Sequence, residues 1–167
     1  MKKIALVLII ICMALTVGCI NSDGEFLRIH IRANSDDSLD QEIKLVTRDL
    51  VVEYLKPLLS NVSSAKGAEK VILANTEDLE SKIDLLLYKA GYKYSAKVTI
   101  GDEYFGKSTY GDLTLEEGVS RAVIVKLGKA VGKNWWCVAY PPLCFSGAND
   151  YDKIKYKSYF YEIFNKE

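Results

Sequence analysis

The only histidine of the chain, His30, stands close in sequence to groups that could make it reactive. In the stretch HIRANSDD it is followed by Asn34, Asp36 and Asp37. A histidine that is oriented by a carboxylate can act as a general base or activate a nucleophile. Alternatively, these residues contact a partner protein, or they are structural: His30 makes a hydrogen bond within the fold, and Asn34 and the aspartates form a turn and cap a helix. The sequence leaves these three interpretations open.

A second concentration of unusual residues is the stretch KNWWCVAYPPLC, residues 133–144, which holds both tryptophans. Because side chains alternate along a strand, adjacent tryptophans cannot share a face, so one of the pair faces outward. The aromatic residues either fill a core or, beside a rigid Pro-Pro turn, form a binding hot spot. The second interpretation assigns partner binding to Trp135, Trp136, Tyr140, Pro141 and Pro142.

Cys137 and Cys144 in this stretch could form a disulfide or supply a nucleophile. Six residues separate them, which is enough for a disulfide around the Pro-Pro turn. The competing hypothesis is a catalytic thiol that His30 activates, although no local motif surrounds either cysteine. The chain has no GxSxG, P-loop or HExxH motif, and no Cys/His cluster for zinc. We therefore expect no metal, no cofactor and no small-molecule substrate.

The elements that position these residues begin with a strand and a helix. Residues 25–32 alternate between apolar and polar side chains, which predicts a strand with one buried face. Ser38 and Gln41 have capping-box spacing ahead of a helical apolar pattern, and Pro57 falls in the last turn of that helix. Residues 60–74 predict a loop and a short helix.

Later elements change from helical to strand periodicity. A second clear helix is predicted over residues 77–90, with Gly91 as a left-handed cap. Residues 92–100 alternate strictly and predict a strand that residues 101–103 turn back. Two more strands are predicted over residues 119–127 and 135–140. This order predicts an α+β fold, an antiparallel sheet with two or three helices packed on one face.

The first residues have the pattern of an export signal. Lys2 and Lys3 precede a 14-residue apolar run that ends at Gly18-Cys19, which resembles a bacterial lipobox with Cys19 as the lipidated residue. Lipoprotein processing, ordinary cleavage and an uncleaved anchor remain alternatives, and membrane association through the N-terminus follows from two of them. Export favours the Cys137–Cys144 disulfide. Without Lys2 and Lys3, 22 − 2 = 20 basic residues face 22 acidic ones, which argues against a nucleic-acid partner.

We divide the chain into a signal or lipoprotein-like segment over residues 1–20, a single α+β domain over residues 25–147, and a C-terminal tail. The tail, residues 148–167, contains the stretch KIKYKSYFYEIF, which alternates and predicts an edge strand.

Three stretches resemble the stage II sporulation protein R family: LRIHIRANSDDSLDQEIKLVTRDLVVEYLKPLL, TYGDLTLEEGVSRAVIVKLG and GKNWWCVAYPPLCF. The resemblance implies a non-enzymatic signal that is made in the forespore and exported into the space between forespore and mother cell. There it would activate a membrane-embedded aspartic peptidase that processes the precursor of sigma-E. The second stretch adds Tyr110 and Asp112, which either contact this peptidase or form an ordinary turn.

Three hypotheses for function follow. The favoured one is the exported peptidase activator. The second is an exported Cys/His hydrolase that uses His30 with Cys137 or Cys144, which requires a thiol within hydrogen-bond reach of the imidazole. The third is a plain envelope lipoprotein.

Overall fold

A computed structural model of the chain describes residues 26–110 and 113–145. Within them, a strand, three α-helices and five further strands follow one another. The elements are β1 (Leu27–Arg32), α1 (Ser38–Leu59), α2 (Ala65–Leu73), α3 (Thr76–Lys89), β2 (Ala96–Phe105), β3 (Ser108–Tyr110), β4 (Leu113–Leu115), β5 (Gly118–Leu127), β6 (Asn134–Tyr140) and a 3-10 turn (Leu143–Phe145). The predicted segment 1–20 and the predicted strand of the tail 148–167 lie outside the described residues.

Four strands form one mixed sheet in the order β2-β5-β1-β6. Strand β2 is antiparallel to β5, and β6 is antiparallel to β1, but β1 and β5 run parallel. The α+β class is confirmed, whereas the sheet is not wholly antiparallel. A parallel pair needs a long crossover connection, and the three helices and strands β2, β3 and β4, which lie between β1 and β5, supply it. Strand periodicity alone does not encode this pairing.

The helices cover one face of the sheet, which we call the inner face. From β1 it carries Leu27, Ile29 and Ile31, all almost fully buried. They join one apolar core with residues of all three helices, among them Val46 of α1 and Ile83 of α3. Burying aliphatic side chains in this way is the main source of stability of the domain.

The opposite, outer face meets the small antiparallel pair β3–β4. Strand β3 contacts this face through Ser108 and Tyr110, which bond to Arg28 of β1. A second, smaller apolar cluster consists of Phe105, Ala122 and Ile124. Both faces of β1 are therefore shielded, although the sequence predicted only one buried face.

Two local predictions were wrong. Helix α1 is capped by Asp37, whose side chain accepts a hydrogen bond from the Leu39 amide at 2.9 Å, rather than by Ser38. Gln41 instead donates to the Ser35 carbonyl at 2.8 Å. The predicted turn at residues 101–103 is strand, because β5 pairs with every residue of β2 and offsets the low strand propensity there. The left-handed cap occurs as predicted, with Gly91 at φ 83°.

Candidate functional site

The outer face of β1 carries three polar side chains, Arg28, His30 and Arg32, in alternation with the apolar residues of the inner face. Arg28 is only 1% exposed and His30 only 3%. Buried charge is rare unless it is paired, so this face differs from an ordinary solvated one. It is the most unusual chemical environment in the described part of the chain.

One carboxylate, Glu103 of β2, contacts both His30 and Arg32. His30 Nδ1 lies 2.5 Å from Glu103 Oε2, and Arg32 forms a salt bridge with Glu103 Oε1. Glu103 reaches them across the intervening strand β5. Gly101 and Ala122 face each other on β2 and β5 and contribute little side-chain volume to this face, which leaves room for the contacts.

Arg28 has no carboxylate partner among the described residues. Its guanidinium carbon lies 3.9 Å from the centre of the Phe105 ring, and Nη2 donates to Ser108 Oγ at 2.7 Å and to Tyr110 Oη at 3.3 Å. Among the described residues, no carboxylate lies within ion-pair distance of it, and its buried Nε has no hydrogen-bond partner. A guanidinium stays protonated in proteins, so Arg28 is a buried positive charge that no carboxylate of the described residues pairs with.

Burial makes His30 a neutral imidazole. Desolvation is the largest cause and lowers the pKa of His30 from 6.5 to about 4; the Asn134 side chain opposes this effect, while the charges of Arg32 and Arg28 add to it. At neutral pH the imidazole therefore donates its Nδ1 proton to Glu103. The rings of Phe105 and Trp136 flank it, each with a centroid distance of 5.8 Å.

The two adjacent tryptophans of β6 lie on opposite faces, as alternation requires. Trp135 packs against the inner core, whereas Trp136 lies opposite His30 on the outer face and is 39% exposed. An open groove of about 660 Å³ lies beside Trp136. We define the groove by the residues that line it: Ser108, Tyr110, Lys133, Asn134, Trp135 and Trp136.

Asn34 and Asp36 do not gather around the imidazole. Asn34 Oδ1 accepts a hydrogen bond from the Lys129 amide at 2.9 Å, and Asp36 Oδ1 accepts one from the Lys133 amide at 2.7 Å. The two side chains thus hold the β5–β6 loop against the start of α1. Close packing continues at Gly132, where a Cβ atom would lie 2.0 Å from the Ser35 carbonyl oxygen. These contacts fix where Lys133, at the rim of the groove, stands.

Asp40 of α1 holds the residues before the helix in place, because its carboxylate accepts hydrogen bonds from Asn34 and Ser35. Burial alone would raise its pKa, but hydrogen bonds from Ser35, Tyr94 and Asn34 hold the pKa of Asp40 below its usual value. Burial, and after it the hydrogen bond to Asp40, raises the pKa of the Tyr94 hydroxyl. Asp40 is therefore an ionised structural acceptor.

Cys137 and Cys144 form a disulfide. Cys137 lies opposite Ile29, an inner-face residue, and therefore points away from His30. Neither sulfur is a thiol, so the nucleophile that the hydrolase hypothesis needs is not beside the imidazole in the described structure. The disulfide closes a turn that begins with the cis Tyr140–Pro141 peptide.

The remaining predicted residues are spread over both faces. Tyr140 packs partly against the inner core, Pro141 is half-buried and Pro142 is exposed. Tyr110 is half-buried at the groove. Asp112 and Cys19 lie outside the described residues.

The sequence did not indicate that Glu103 pairs with His30 and Arg32, or that Arg28 is a buried charge. Glu103 sits in the segment that was predicted to turn, so its alignment with the outer face could not be recognised. Arg28 looked like a solvated residue of an amphipathic strand. If the strand had been predicted to continue through Gly101, Glu103 would have been assigned to the same face as Gly101, since side chains two residues apart share a face.

The described residues, 26–110 and 113–145, contain no group of three His, Cys, Asp or Glu side chains arranged to hold a metal ion. In the same residues, we find no helix whose length and hydrophobicity would suit a membrane crossing.

Fold and site together define a small α+β domain with a cationic, aromatic groove on its outer face. The family model of stage II sporulation protein R matches residues 23–150, and the chain belongs to that family. This confirms the resemblance seen in the sequence.

A curated relative from Bacillus subtilis (strain 168), named stage II sporulation protein R, is 30% identical over 129 residues. The match covers 77% of this chain and 58% of the relative, so the chain spans little more than half the length of that protein. No solved structure matches the chain.

Proposed function

We propose that this sporulation protein is an exported signal that acts between forespore and mother cell. It binds the extracytoplasmic side of a membrane-embedded aspartic peptidase, which then processes the precursor of sigma-E. Membership of the family supports this proposal, as does the export-like pattern that ends at Cys19. Lipidation of Cys19 would tether the signal to a membrane, whereas ordinary cleavage would release it.

The observation that carries the proposal is the setting of Trp136. Its side chain is 39% exposed, yet its ring is held in edge contact with Phe105 at 5.9 Å and His30 at 5.8 Å. A large aromatic group that is already rigid loses little entropy on binding and is typical of interface hot spots. Tyr110 and Lys133, at the same groove, add a hydroxyl and a positive charge.

The mechanism needs no bond chemistry in the activator. A protein that binds the active form of the peptidase more tightly than the inactive form shifts the population toward the active form. A coupling of about 3 kcal/mol between binding and activity corresponds to a change of roughly 150-fold, which is ample for a developmental switch. Activation should therefore depend on the amount of bound signal and not on turnover by it.

Co-expression of the full chain with the peptidase and its pro-sigma substrate tests the proposal through the fraction of substrate cleaved. Trp136→Ala should reduce cleavage strongly, because truncating a hot-spot tryptophan costs about 2 kcal/mol or more of binding. Tyr88→Ala is the matched control, since Tyr88 is 79% exposed on α3 and belongs to neither the groove nor the outer face. Tyr88→Ala should give the same fraction of cleaved substrate as wild type. Equal loss in both variants, or none in Trp136→Ala, would contradict the proposal.

The hydrolase alternative is tested by the double change Cys137→Ser with Cys144→Ser. A catalytic thiol cannot be replaced by a hydroxyl without losing orders of magnitude in rate. In the activator, the same change removes only a cross-link, so cleavage should follow the folded fraction measured by circular dichroism. A folded double-serine protein that is inactive, while Trp136→Ala still signals, would establish the hydrolase. Wild-type protein that triggers no cleavage at all would favour the plain envelope lipoprotein.

A further inference from the structure

The charges of the outer face do not balance among the described residues. Arg28 and Arg32 contribute two guanidinium groups, and Glu103 is the one carboxylate of the described residues that contacts this set. Glu103 is already engaged by Arg32 and His30. With His30 neutral, the described residues of the cluster keep one positive charge, and that charge belongs to Arg28.

A buried charge without a counter-charge is costly, and carboxylates are the groups that planar guanidinium forks bind best. Arg28 Nη2 uses two hydroxyls, Ser108 Oγ and Tyr110 Oη, neither of which carries charge. Hydroxyls can accept from Arg28 and still donate to an anion above them. The positive charge of Arg28 can therefore attract an anion that binds to the outward side of these two hydroxyls.

The two hydroxyl residues also line the groove, so Arg28 lies beneath its floor. Lys133 stands at the rim as a second, exposed cation, and Trp136 forms an apolar wall. The groove thus combines one buried and one exposed positive charge with a large aromatic surface. Trp, Tyr and Arg are the residue types most enriched where proteins bind one another.

We propose that this groove binds an aspartate or glutamate side chain carried on an extended, partly apolar peptide segment of the partner protein. The carboxylate lies over Ser108 and Tyr110 and balances the positive charge of Arg28, while a neighbouring apolar side chain packs on Trp136. For the identity of the partner, the inference rests on the function proposed above. The chemistry of the ligand rests on charge complementarity at the groove.

Peptide binding tests this inference without the peptidase. The probes are two blocked pentapeptides, Ac-Ala-Phe-Glu-Phe-Ala-NH2 and its Gln counterpart, titrated into the full chain while the fluorescence of Trp136 is followed. The Glu peptide should bind about ten-fold more tightly, as expected for one added charge-assisted hydrogen-bond contact. Trp136→Phe identifies the part of the signal that comes from the groove.

Three variants locate the preference. Arg28→Met should reduce the Glu-over-Gln preference to about two-fold or less, and Lys133→Gln, which leaves the buried cluster intact, should reduce it by about three-fold. Lys133→Gln keeps the test decisive if Arg28→Met does not fold. The matched control is Arg121→Met, because Arg121 is already paired with Glu69 at 2.7 Å and Asp102 at 3.1 Å. Its preference should equal that of wild type.

Equal affinity of wild type for both peptides, or a preference unchanged in folded Arg28→Met or in Lys133→Gln, would overturn the inference. Inorganic phosphate that competes as strongly as the Glu peptide would show a general anion site instead and overturn the peptide assignment. If the chain prefers the Glu peptide over the Gln peptide only after the double change Asp150→Asn with Asp152→Asn, these acidic residues of the chain's own C-terminal segment occupy the groove in wild type. That result would overturn the partner assignment.

The two proposals can fail separately. A chain that triggers cleavage in co-expression but shows no preference for the Glu peptide would refute the inference and leave the activator function standing. A chain that shows the preference but triggers no cleavage would refute the activator function and leave the carboxylate groove.

Discussion

On the inner face of the sheet, strand β1 buries Ile29 among aliphatic side chains of the helices, and on the outer face, one residue earlier, it buries Arg28 against Phe105 and two hydroxyls. Both side chains are almost inaccessible to water. Yet removing Ile29 from water is favourable by the hydrophobic effect, whereas removing Arg28 from water costs free energy that its described contacts do not fully return.

This difference indicates what each face is for. The inner face follows the rules that make a domain stable: apolar residues, close packing and helices above the sheet. The outer face departs from those rules at adjacent positions of the same strand. Departures of that kind are expected at functional sites, where groups are held for recognition at the expense of stability.

The inner face should show the largest response to a single truncation. Ile29 is fully buried, so Ile29→Ala should lower the free energy of unfolding by about 3–4 kcal/mol through lost burial and a residual cavity. Urea denaturation measures it. Val119→Ala, at a site that is 60% exposed, is the control and should change stability by less than about 0.5 kcal/mol. A loss under about 1 kcal/mol for Ile29→Ala would break the assignment of the inner face as the main core.

The outer face should respond strongly to loss of its one shared carboxylate. Glu103→Gln leaves Arg32 as a second guanidinium without its charged partner, and we expect a loss of about 3 kcal/mol in urea denaturation. Asp102→Asn is the neighbouring control, because Asp102 is largely exposed and pairs only with Arg121 in the described structure. It should cost less than about 1 kcal/mol. Similar losses in both variants would show that the Glu103 cluster behaves as an ordinary surface.

A smaller effect is expected from pH. The pKa of His30 is about 4 in the folded protein against 6.5 as its ordinary value, so the folded state binds fewer protons between these limits. Stability is then fully present above pH 6.5 and falls as pH drops toward 4, by about 2 kcal/mol between pH 8 and pH 5. Arg28, Arg32, Glu103 and Asn134 face this imidazole.

Urea denaturation at several pH values of wild type and His30→Gln isolates this contribution. The pKa values of Asp40 and Glu80 are lowered, so their contributions are lost only at more acidic pH. The wild type should lose stability between pH 6.5 and pH 5, and the variant should be nearly flat there. The same slope in both proteins would show that the imidazole is not held neutral by burial.

Much of the fold could be predicted from periodicity. Helices α1 and α3 and strands β1, β5 and β6 lie close to their predicted positions because each carries a clear apolar pattern. The β1–β5 parallel pairing could not be predicted, since strand patterns do not specify neighbours. The continuation of β2 through Gly101 was missed because long-range pairing with β5 overrides local turn propensity.

The candidate site was less accessible from sequence. One tryptophan facing outward follows from alternation, and Trp136 is that residue. The importance of Arg28 and Glu103 depends on which strands become neighbours and, for Arg28, on the β3 residues that bond to it. Asn34 and Asp36 were proposed as partner contacts beside His30, but their side-chain oxygens accept hydrogen bonds from amides of the β5–β6 loop, and Asn34 also donates to Asp40. This structural role is long-range, whereas the alternative offered from sequence was a local turn and helix cap.

The most direct test of the central claim, that the outer face retains a buried charge for recognition, is a paired measurement on Arg28→Met. Methionine fills a similar volume without charge, so the free energy of unfolding should change by no more than about 1 kcal/mol. Cleavage of the pro-sigma substrate in the co-expression host should nevertheless fall by about ten-fold or more, because the groove loses the charge beneath its floor. A stable Arg28→Met protein that signals like wild type, or one whose signalling falls only in proportion to lost folding, would contradict the account.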